Sequence, residues 1–383
     1  MAQDHYDAIV IGIGAMGSAA CWQLARAGRR VLGLEQFSLA HDRGSSHGQT
    51  RLIRRAYFEH PDYVPLVQRA YELWEELEDL SGRSLLHRCG LLLAGTPDSR
   101  LLCGVRAAAA QHRLDLEELL QTDVERRFPG VALRPDQVAM FEPGAGYLLV
   151  EDCVRAQARL AAQLGAILRF DEPVRRWHAD DDAIRVHTDR GVYSAERLIL
   201  TAGAWSQDLL SALQLPLEVQ RRMQLWFGVT DARYTVGAGF PAFAIEVESG
   251  FFYGFPAIEP GCMKVAEHLG RQPNAHPERL DRDLHDADVT EVRQFIRRHL
   301  PGVSTSVVRH SACMYTMTPD EHFVVDRTPD DPRIVFAAGF SGHGFKFAPI
   351  VGQVLAELAI EGRTREPTEF LRLNAPGRQL RSA

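Results

Sequence analysis

The sequence predicts a mixed α/β (α+β) fold: one domain around a parallel sheet assembled from separated segments, and a second domain around a mainly antiparallel sheet. Three observations predict it. The stretch DAIVIGIGAMGSAACWQLARAGRRVLGLEQ runs from a β-branched segment through glycines into an amphipathic helix and a second apolar run ending in an acid, the order of a βαβ unit. Residues 222–268 hold short apolar runs, MQLWFGV, FPAFAIEV, GFFYGFP and CMKVAEH, broken by Gly and Pro in the manner of an antiparallel sheet. The closing RIVFAAGFSGHGFKFAPIVGQVLAELAIEG reads as a strand, a glycine-rich loop and a long helix that return the chain to the first sheet.

In the first unit Gly12, Gly14 and Gly17 follow the GxGxxG spacing of a Rossmann-like domain. A tight turn, a close backbone approach to a pyrophosphate and the packing of helix on strand each require a missing side chain. Glu35 closes the second strand, where a carboxylate accepts from ribose hydroxyls and repels a 2'-phosphate. The spacing points to an adenine dinucleotide and leaves NAD or FAD open. Next, DYVPLVQRAYELWEELEDL and VEDCVRAQARLAAQLGA carry helical apolar spacing. ILRFDEPVRRW, AIRVHTD and GVYSAERLILTAGAW read as a strand, a hairpin around Asp189-Arg190-Gly191, and a buried strand closing on Thr-Ala-Gly beside the nucleotide. These elements place the nucleotide-binding domain at 1–85, 140–215 and 310–375, and the substrate domain at 86–139 and 216–309.

Composition narrows the function. With 45% apolar and 24% charged residues the chain buries a sizeable core, and its formal net charge of -7 argues against nucleic acid as a partner. No run is long and apolar enough to span a bilayer, and MAQDHYDAIVIG lacks the basic and apolar regions of a secretion signal, so a cytoplasmic location is expected. Six cysteines, at 21, 89, 103, 153, 262 and 313, stand without paired spacing, as suits reduced thiols and no metal site. Arg51, Arg54 and Arg55 form a local basic cluster in QTRLIRRAY. Lys264 shares one face of its run with Cys262 and Ala266, and a lysine aimed into a cavity is costly unless it is used.

Four separated stretches, GSSHGQTRLIRRAY, GFFYGFP, CMYTMTPDEHFVVD and GFSGHGFKF, resemble the flavin-dependent amine oxidases typified by monomeric sarcosine oxidase, with N-methyltryptophan oxidase and pipecolate oxidase as close relatives. The resemblance covers nearly the whole chain and implies FAD. It implies a thioether from Cys313 to the 8α-methyl carbon of the flavin. Arg54 and Lys346 correspond to the cations that grip a substrate carboxylate, and Arg51 to one beside the flavin ring. The resemblance implies that the loop of Gly342 and Gly344 directs backbone N–H groups at the flavin's pyrimidine edge, and that Ser45, Thr50 and Val174 complete the cofactor contacts. Lys264 matches the lysine that assists electron transfer to dioxygen, while His268 and Tyr253 match residues of the substrate cavity. The implied reaction is hydride loss from the carbon beside nitrogen of an N-methyl or secondary amino acid, imine hydrolysis and formation of hydrogen peroxide, in a monomer. Ser46 and Gln49 stand where sarcosine oxidases usually carry histidine and aspartate, so pipecolate, N-methyltryptophan and other secondary amino acids stay open. The rival readings are a flavin dehydrogenase with another acceptor and a nucleotide-binding protein without turnover.

Overall fold

The computed structural model describes residues 5–269, 275–378 and 380. Strand His5–Ile11 passes through Gly12–Gly14 into helix Ala15–Arg26, and strand Val31–Leu34 then pairs parallel to the first. Ile167–Arg169 extends the parallel set on one side; Val192–Leu200 and Ile334–Ala338 extend it on the other. The expected hairpin forms between Ile184–Thr188 and Val192–Leu200. Completed by Val174–Ala179 and Val324–Arg327, this eight-stranded sheet is drawn from three separated parts of the sequence.

Helix Ala15–Arg26 packs against helices Val150–Gln163 and Ala348–Glu361. The last approach is close because Gly352 has no Cβ; one would lie 2.5 Å from the Cβ of Ala19. Thr201, at the end of Val192–Leu200, donates to the carbonyls of Ile11 and Gly12 and so ties two adjacent strand ends together. Open α/β sheets bind ligands beyond these carboxyl ends.

The second eight-stranded sheet runs in the order Val307–Met317, Glu218–Gly228, Cys262–Leu269, Gly250–Gly254, Ala242–Val247, Leu91–Gly95, Val138–Glu142, Glu117–Leu119. Only the pair Ala242–Val247 with Leu91–Gly95 is parallel. One face packs Met223, Leu225, Phe227, Phe252, Met263 and Val265 against Val289, Val292, Phe295 and Ile296 of helix Asp286–His299. A three-stranded sheet, Thr50–Ile53, Gly146–Leu149 and Leu86–His87, bridges the two cores.

Two expected domain boundaries cut strands. Position 310 falls inside Val307–Met317, which pairs with Glu218–Gly228 along its length, and position 140 falls inside Val138–Glu142. The second sheet therefore keeps its edge strand to Met317. The hydrophobic run shows no break at 310 because Cys313 belongs to a continuous antiparallel ladder, and the chain crosses to the first sheet only at the turn after it.

Candidate active site

A cavity of about 800 Å³ opens at the carboxyl ends of the first sheet. Its wall includes Gly12, Gly14, Glu35 and Val174 on the first-sheet side, and Ser45, Arg51, Cys313, Tyr315, Gly342 and Gly344 where the second sheet meets it. Gly12 has φ +87°, and a Cβ there would lie 2.7 Å from the carbonyl oxygen of Thr201. Gly17 lies behind the wall: its Cβ would sit 1.8 Å from the Gly12 oxygen, so its role is packing of helix on turn. The Glu35 carboxylate accepts from the N–H of Ile13 at 2.7 Å and of Phe37 at 3.1 Å, which holds it at the cavity edge. Trp205 also lines the cavity, and its buried indole N–H finds no partner among the described residues. A glycine turn at a helix start, a fixed carboxylate and an orphan donor around one cavity fit a dinucleotide.

Alternation builds the second-sheet side. In antiparallel strands, directly paired residues share a face and alternate residues repeat it. Arg222 pairs with Cys313, Trp226 with Lys264 and Tyr253 with Ala266. One face therefore gathers Arg222, Gln224 and Trp226, Cys313 and Tyr315, Lys264 and His268, and Tyr253. The opposite face is the apolar one that packs on the helix.

Arg51 comes from the bridging sheet. Its guanidinium donates to the carbonyls of Thr50 at 2.9 Å and Ser45 at 3.0 Å, to Gln224 Oε1 at 3.2 Å, and approaches Cys313 Sγ at 3.6 Å. Ser45 Oγ donates to the Met314 carbonyl at 2.7 Å and keeps this loop on the cysteine strand. Gly48 and Gln49 donate their N–H groups to Glu151, the first-turn acid of helix Val150–Gln163; this contact holds Gln49 at φ +71°. Ser46 Oγ accepts from the Ala15 N–H at the opposite helix start. The two positions that depart from the resembled pattern thus serve the backbone that carries Arg51.

Lys264 is buried. Its Nζ donates to the carbonyls of Gly48 at 2.7 Å and Thr50 at 3.0 Å, and lies 5.4 Å from the Trp226 ring centroid and 5.3 Å from that of Phe255. Burial, joined by the Arg51 charge, holds its pKa well below the usual lysine value. Two hydrogen bonds of about 1.5–3 kcal/mol each offset only part of a desolvation penalty of several kcal/mol. Thr50 is off the cavity wall and acts through this carbonyl.

Arg54 and Lys346 form a separate buried cluster. Arg54 Nη2 donates to both oxygens of Glu59, 2.7 Å to each, and its Nη1 donates to the Ala56 carbonyl at 2.7 Å. Lys346 Nζ donates to the His343 carbonyl at 2.7 Å, and the Tyr57 hydroxyl meets His343 Nδ1 at 2.5 Å. Burial and then the neighbouring Arg54 lower the Lys346 pKa to about 7. Burial opposes ionisation of Glu59, yet Arg54, His343 and Lys346 bring its pKa down to about 2. Arg54 is therefore already paired within the chain: a guanidinium this buried needs an anion, and Glu59 supplies one five residues away. His268 meets the Tyr315 hydroxyl at 3.1 Å; burial lowers its pKa to about 3, so it is neutral near pH 7.

Residues 7–358 match the family model described as DAO, FAD dependent oxidoreductase. This chain belongs to that family. The oxidoreductase is 41% identical to the monomeric sarcosine oxidase of Streptomyces avermitilis, over 94% of this chain and 95% of the relative. It is 38% identical to the N-methyl-L-tryptophan oxidase of Salmonella arizonae, over 93% and 95%. Among solved structures it resembles NikD, an unusual amino acid oxidase of nikkomycin biosynthesis, in an open form, with a TM-score of 0.87 at 27% identity over 99% of this chain and 100% of that one. The fold and FAD dependence expected from the sequence are those of this family. No helix among the described residues is long and apolar enough to cross a membrane, and no group of potential metal ligands occurs among them.

Sequence reasoning passed over Glu59, Gln224, Glu151, Tyr315 and Trp226. Tyr315 was legible as the next same-face position after Cys313, and Gln224 as a polar residue alternating through an apolar strand; Glu59 and Glu151 gave no local signal.

Proposed function

We propose that this enzyme oxidises N-methyl or other secondary amino acids, with FAD joined to Cys313 through a thioether and dioxygen as the electron acceptor. The observation that carries the reading is Cys313 on the wall of the nucleotide cavity, beside Arg51 and on the same sheet face as Lys264. Bound FAD supplies the acceptor for a hydride from the carbon beside nitrogen. Gly12, Gly14 and Glu35 hold its nucleotide end, Val174 adds apolar contact, and Ser45, Gly342 and Gly344 surround the ring end. Arg51 places a fixed positive charge where the ring receives negative charge.

Arg54 and Lys346 receive the substrate carboxylate. Two cations face one internal carboxylate, Glu59, which leaves one positive charge for the ligand when Lys346 is protonated. His268 and Tyr253 line the space above the ring, and neutral His268 adds no charge that would repel the amine's developing cation. Lys264 assists electron transfer to dioxygen. The relatives named sarcosine oxidase and N-methyltryptophan oxidase support the substrate class, and the word monomeric in the first supports a single-chain enzyme. Six free cysteines support a reducing, cytoplasmic setting. The domain reading becomes a nucleotide domain around the first sheet and a substrate domain around the second, the latter extending to Met317.

Two measurements test this. Oxygen uptake on a panel of secondary amino acids should be matched mole for mole by peroxide, and simple amines of equal size should be poor substrates. Acid precipitation should leave the yellow colour in the pellet for wild type and release it for Cys313→Ala; free FAD in the wild-type supernatant would remove the thioether from the proposal.

A further inference from the structure

The chain leading into Arg51 forms a turn that the mechanism above does not use. The Thr50 N–H donates to the Gly48 carbonyl at 2.8 Å across Gln49, whose φ is +71°. A hydrogen bond from residue i+2 back to i with positive φ at the centre is the rare, strained form of the γ-turn, and its centre here is not a glycine. Gly48 has φ +89°, and a Cβ there would lie 2.0 Å from Gln224 Oε1. Strain of this kind persists only where the surroundings over-determine it. They do so at Gln49: its carbonyl accepts from the Val150 N–H at 2.9 Å, its side-chain amide donates to Glu259, and its side-chain oxygen accepts from Trp226 Nε1 at 3.0 Å.

The strained turn separates the polar groups of its backbone. Its N–H groups converge on one carboxylate: Gly48 donates to Glu151 Oε1 at 2.7 Å, and Gln49 donates to both Glu151 oxygens at 3.1 and 3.2 Å. Successive N–H groups in a turn of this kind make a concavity suited to an anion. Its carbonyls converge on one amine, with Lys264 Nζ 2.7 Å from the Gly48 oxygen and 3.0 Å from that of Thr50. Gly48 therefore links acid to amine directly, its N–H on Glu151 and its C=O on Lys264. Electrostatics agree with this link. Burial first, then Arg51 of the bridging sheet and Arg309 of the edge strand Val307–Met317, disfavour charge on the amine; Cys313 on that strand and Glu151 favour it. Burial keeps His47 of the same loop neutral, with a pKa of about 3. A sulfur joined to flavin cannot ionise, so Glu151 is the anion that remains among these groups.

We propose that Glu151 is the positioning residue of Lys264: through the N–H groups of Gly48 and Gln49 it holds the strained turn whose carbonyls fix the amine, and so supports the oxygen half-reaction. This rests on the reading of Lys264 given above and names the residue that stands behind it. The test is a double-mutant cycle in the holoenzyme between Glu151→Gln and Lys264→Met, read by stopped flow as reoxidation of the flavin by air. Glu151→Gln alone should slow reoxidation by roughly 10- to 100-fold, the worth of weakened hydrogen bonds to a charged partner. In the Lys264→Met background the same change should cost less than about twofold. Losses that multiply overturn the proposal, because Glu151 would then act without Lys264. Glu151→Asp keeps the charge on a shorter arm and should recover part of the rate; it replaces Glu151→Gln in the cycle if that variant does not fold. The amine's charge is present below its pKa and lost as pH rises through it, so removing the Glu151 carboxylate should move that limb of the reoxidation profile to lower pH. A limb that stays in place counts against the link. If Lys264→Met reoxidises as fast as wild type, the assignment of Lys264 to dioxygen falls, and thermal unfolding of the same four proteins decides the role of Glu151 on its own. Glu151→Gln should then lower Tm by about 2–4 °C in the wild-type background and by less than half as much beside Lys264→Met, and equal shifts overturn the proposal.

Discussion

The glycine crossing of the first sheet and the polar face of the second solve opposite problems. The first must bring main chain close to a ligand, and it does so by leaving side chains out: Gly12 and Gly17 each exclude a Cβ that would strike backbone. The second, with the bridging sheet and the loop that follows its Thr50–Ile53 strand, must hold charges away from water, and it does so by pairing them: Lys264 with two carbonyls, Arg54 with Glu59, Arg51 with Ser45, Thr50 and Gln224. Recognition through backbone is local and intolerant of added atoms. Chemistry through buried charge depends on partners from distant strands and is sensitive to removed ones.

The largest effect should come from filling the first region. Gly17→Ala places a carbon on the Gly12 carbonyl, which no rotamer can relieve; a loss on the order of 3–5 kcal/mol in stability is expected, with little FAD retained after purification. Gly28→Ala is the contrast. Unlike Gly17 it has positive φ, +73°, but a Cβ there meets nothing within 4 Å, so about 1–2 kcal/mol of backbone strain and full FAD content are expected. Thermal unfolding and flavin absorbance read both, and equal losses in the two variants would break the comparison.

In the second region Lys264→Met removes a buried amine and leaves two carbonyls without their donor. Reoxidation by air should slow by about a thousandfold, roughly 4 kcal/mol at the barrier, while anaerobic reduction by substrate changes little. Stopped-flow measurement of the two half-reactions separates these. Equal slowing of both would assign Lys264 to substrate rather than oxygen.

Arg54→Met and Lys346→Met should each lower kcat/KM for amino acids by about 30- to several-thousand-fold, the 2–5 kcal/mol of a carboxylate left partly unpaired. The losses should not add in the double variant, since both cations serve one anion. Arg54→Met should also lose stability, because it strands Glu59 as a buried charge; unfolding by denaturant distinguishes that cost from the kinetic one.

The smallest effect is in pH. Lys346 has a lowered pKa of about 7, so its charge is present below that pH and lost as pH rises through it. Glu59, near 2, stays ionised throughout and contributes nothing to the change. Binding of methoxyacetate, a carboxylate without a titrating amine, should therefore weaken above pH 7 by up to roughly tenfold per unit, the limit for one proton. Lys346→Met should flatten this limb. A flat wild-type profile would place the Lys346 pKa outside the neutral range.

Much of the nucleotide side was legible because its requirements are written within one short segment: strand, three glycines, helix, strand, acid. The chemical side was legible only residue by residue. Lys264 could be singled out from Cys262-Met-Lys-Val because alternation puts a cation among small residues, and Cys313 from its match to a family pattern. That Arg54 is already held by Glu59 could not be read, since a charge five residues away in a loop carries no periodic signal. Position 310 falls inside a strand for a related reason: strand pairing, not composition, decides which sheet a segment joins.

By itself the sequence determined which residues face which side of each strand, where backbone must pass without side chains, and which cofactor family the glycines and acid suit. These follow from period two in strands, from sterics at glycine, and from ligand chemistry. Only the tertiary structure decided that Arg222 stands opposite Cys313, that Lys264 reaches the carbonyls of Gly48 and Thr50, and that Ile334–Ala338 takes its place beside Val192–Leu200. Alternation specifies a face but not a neighbour; register and strand order are set by the burial of whole apolar faces against helices far away in the chain.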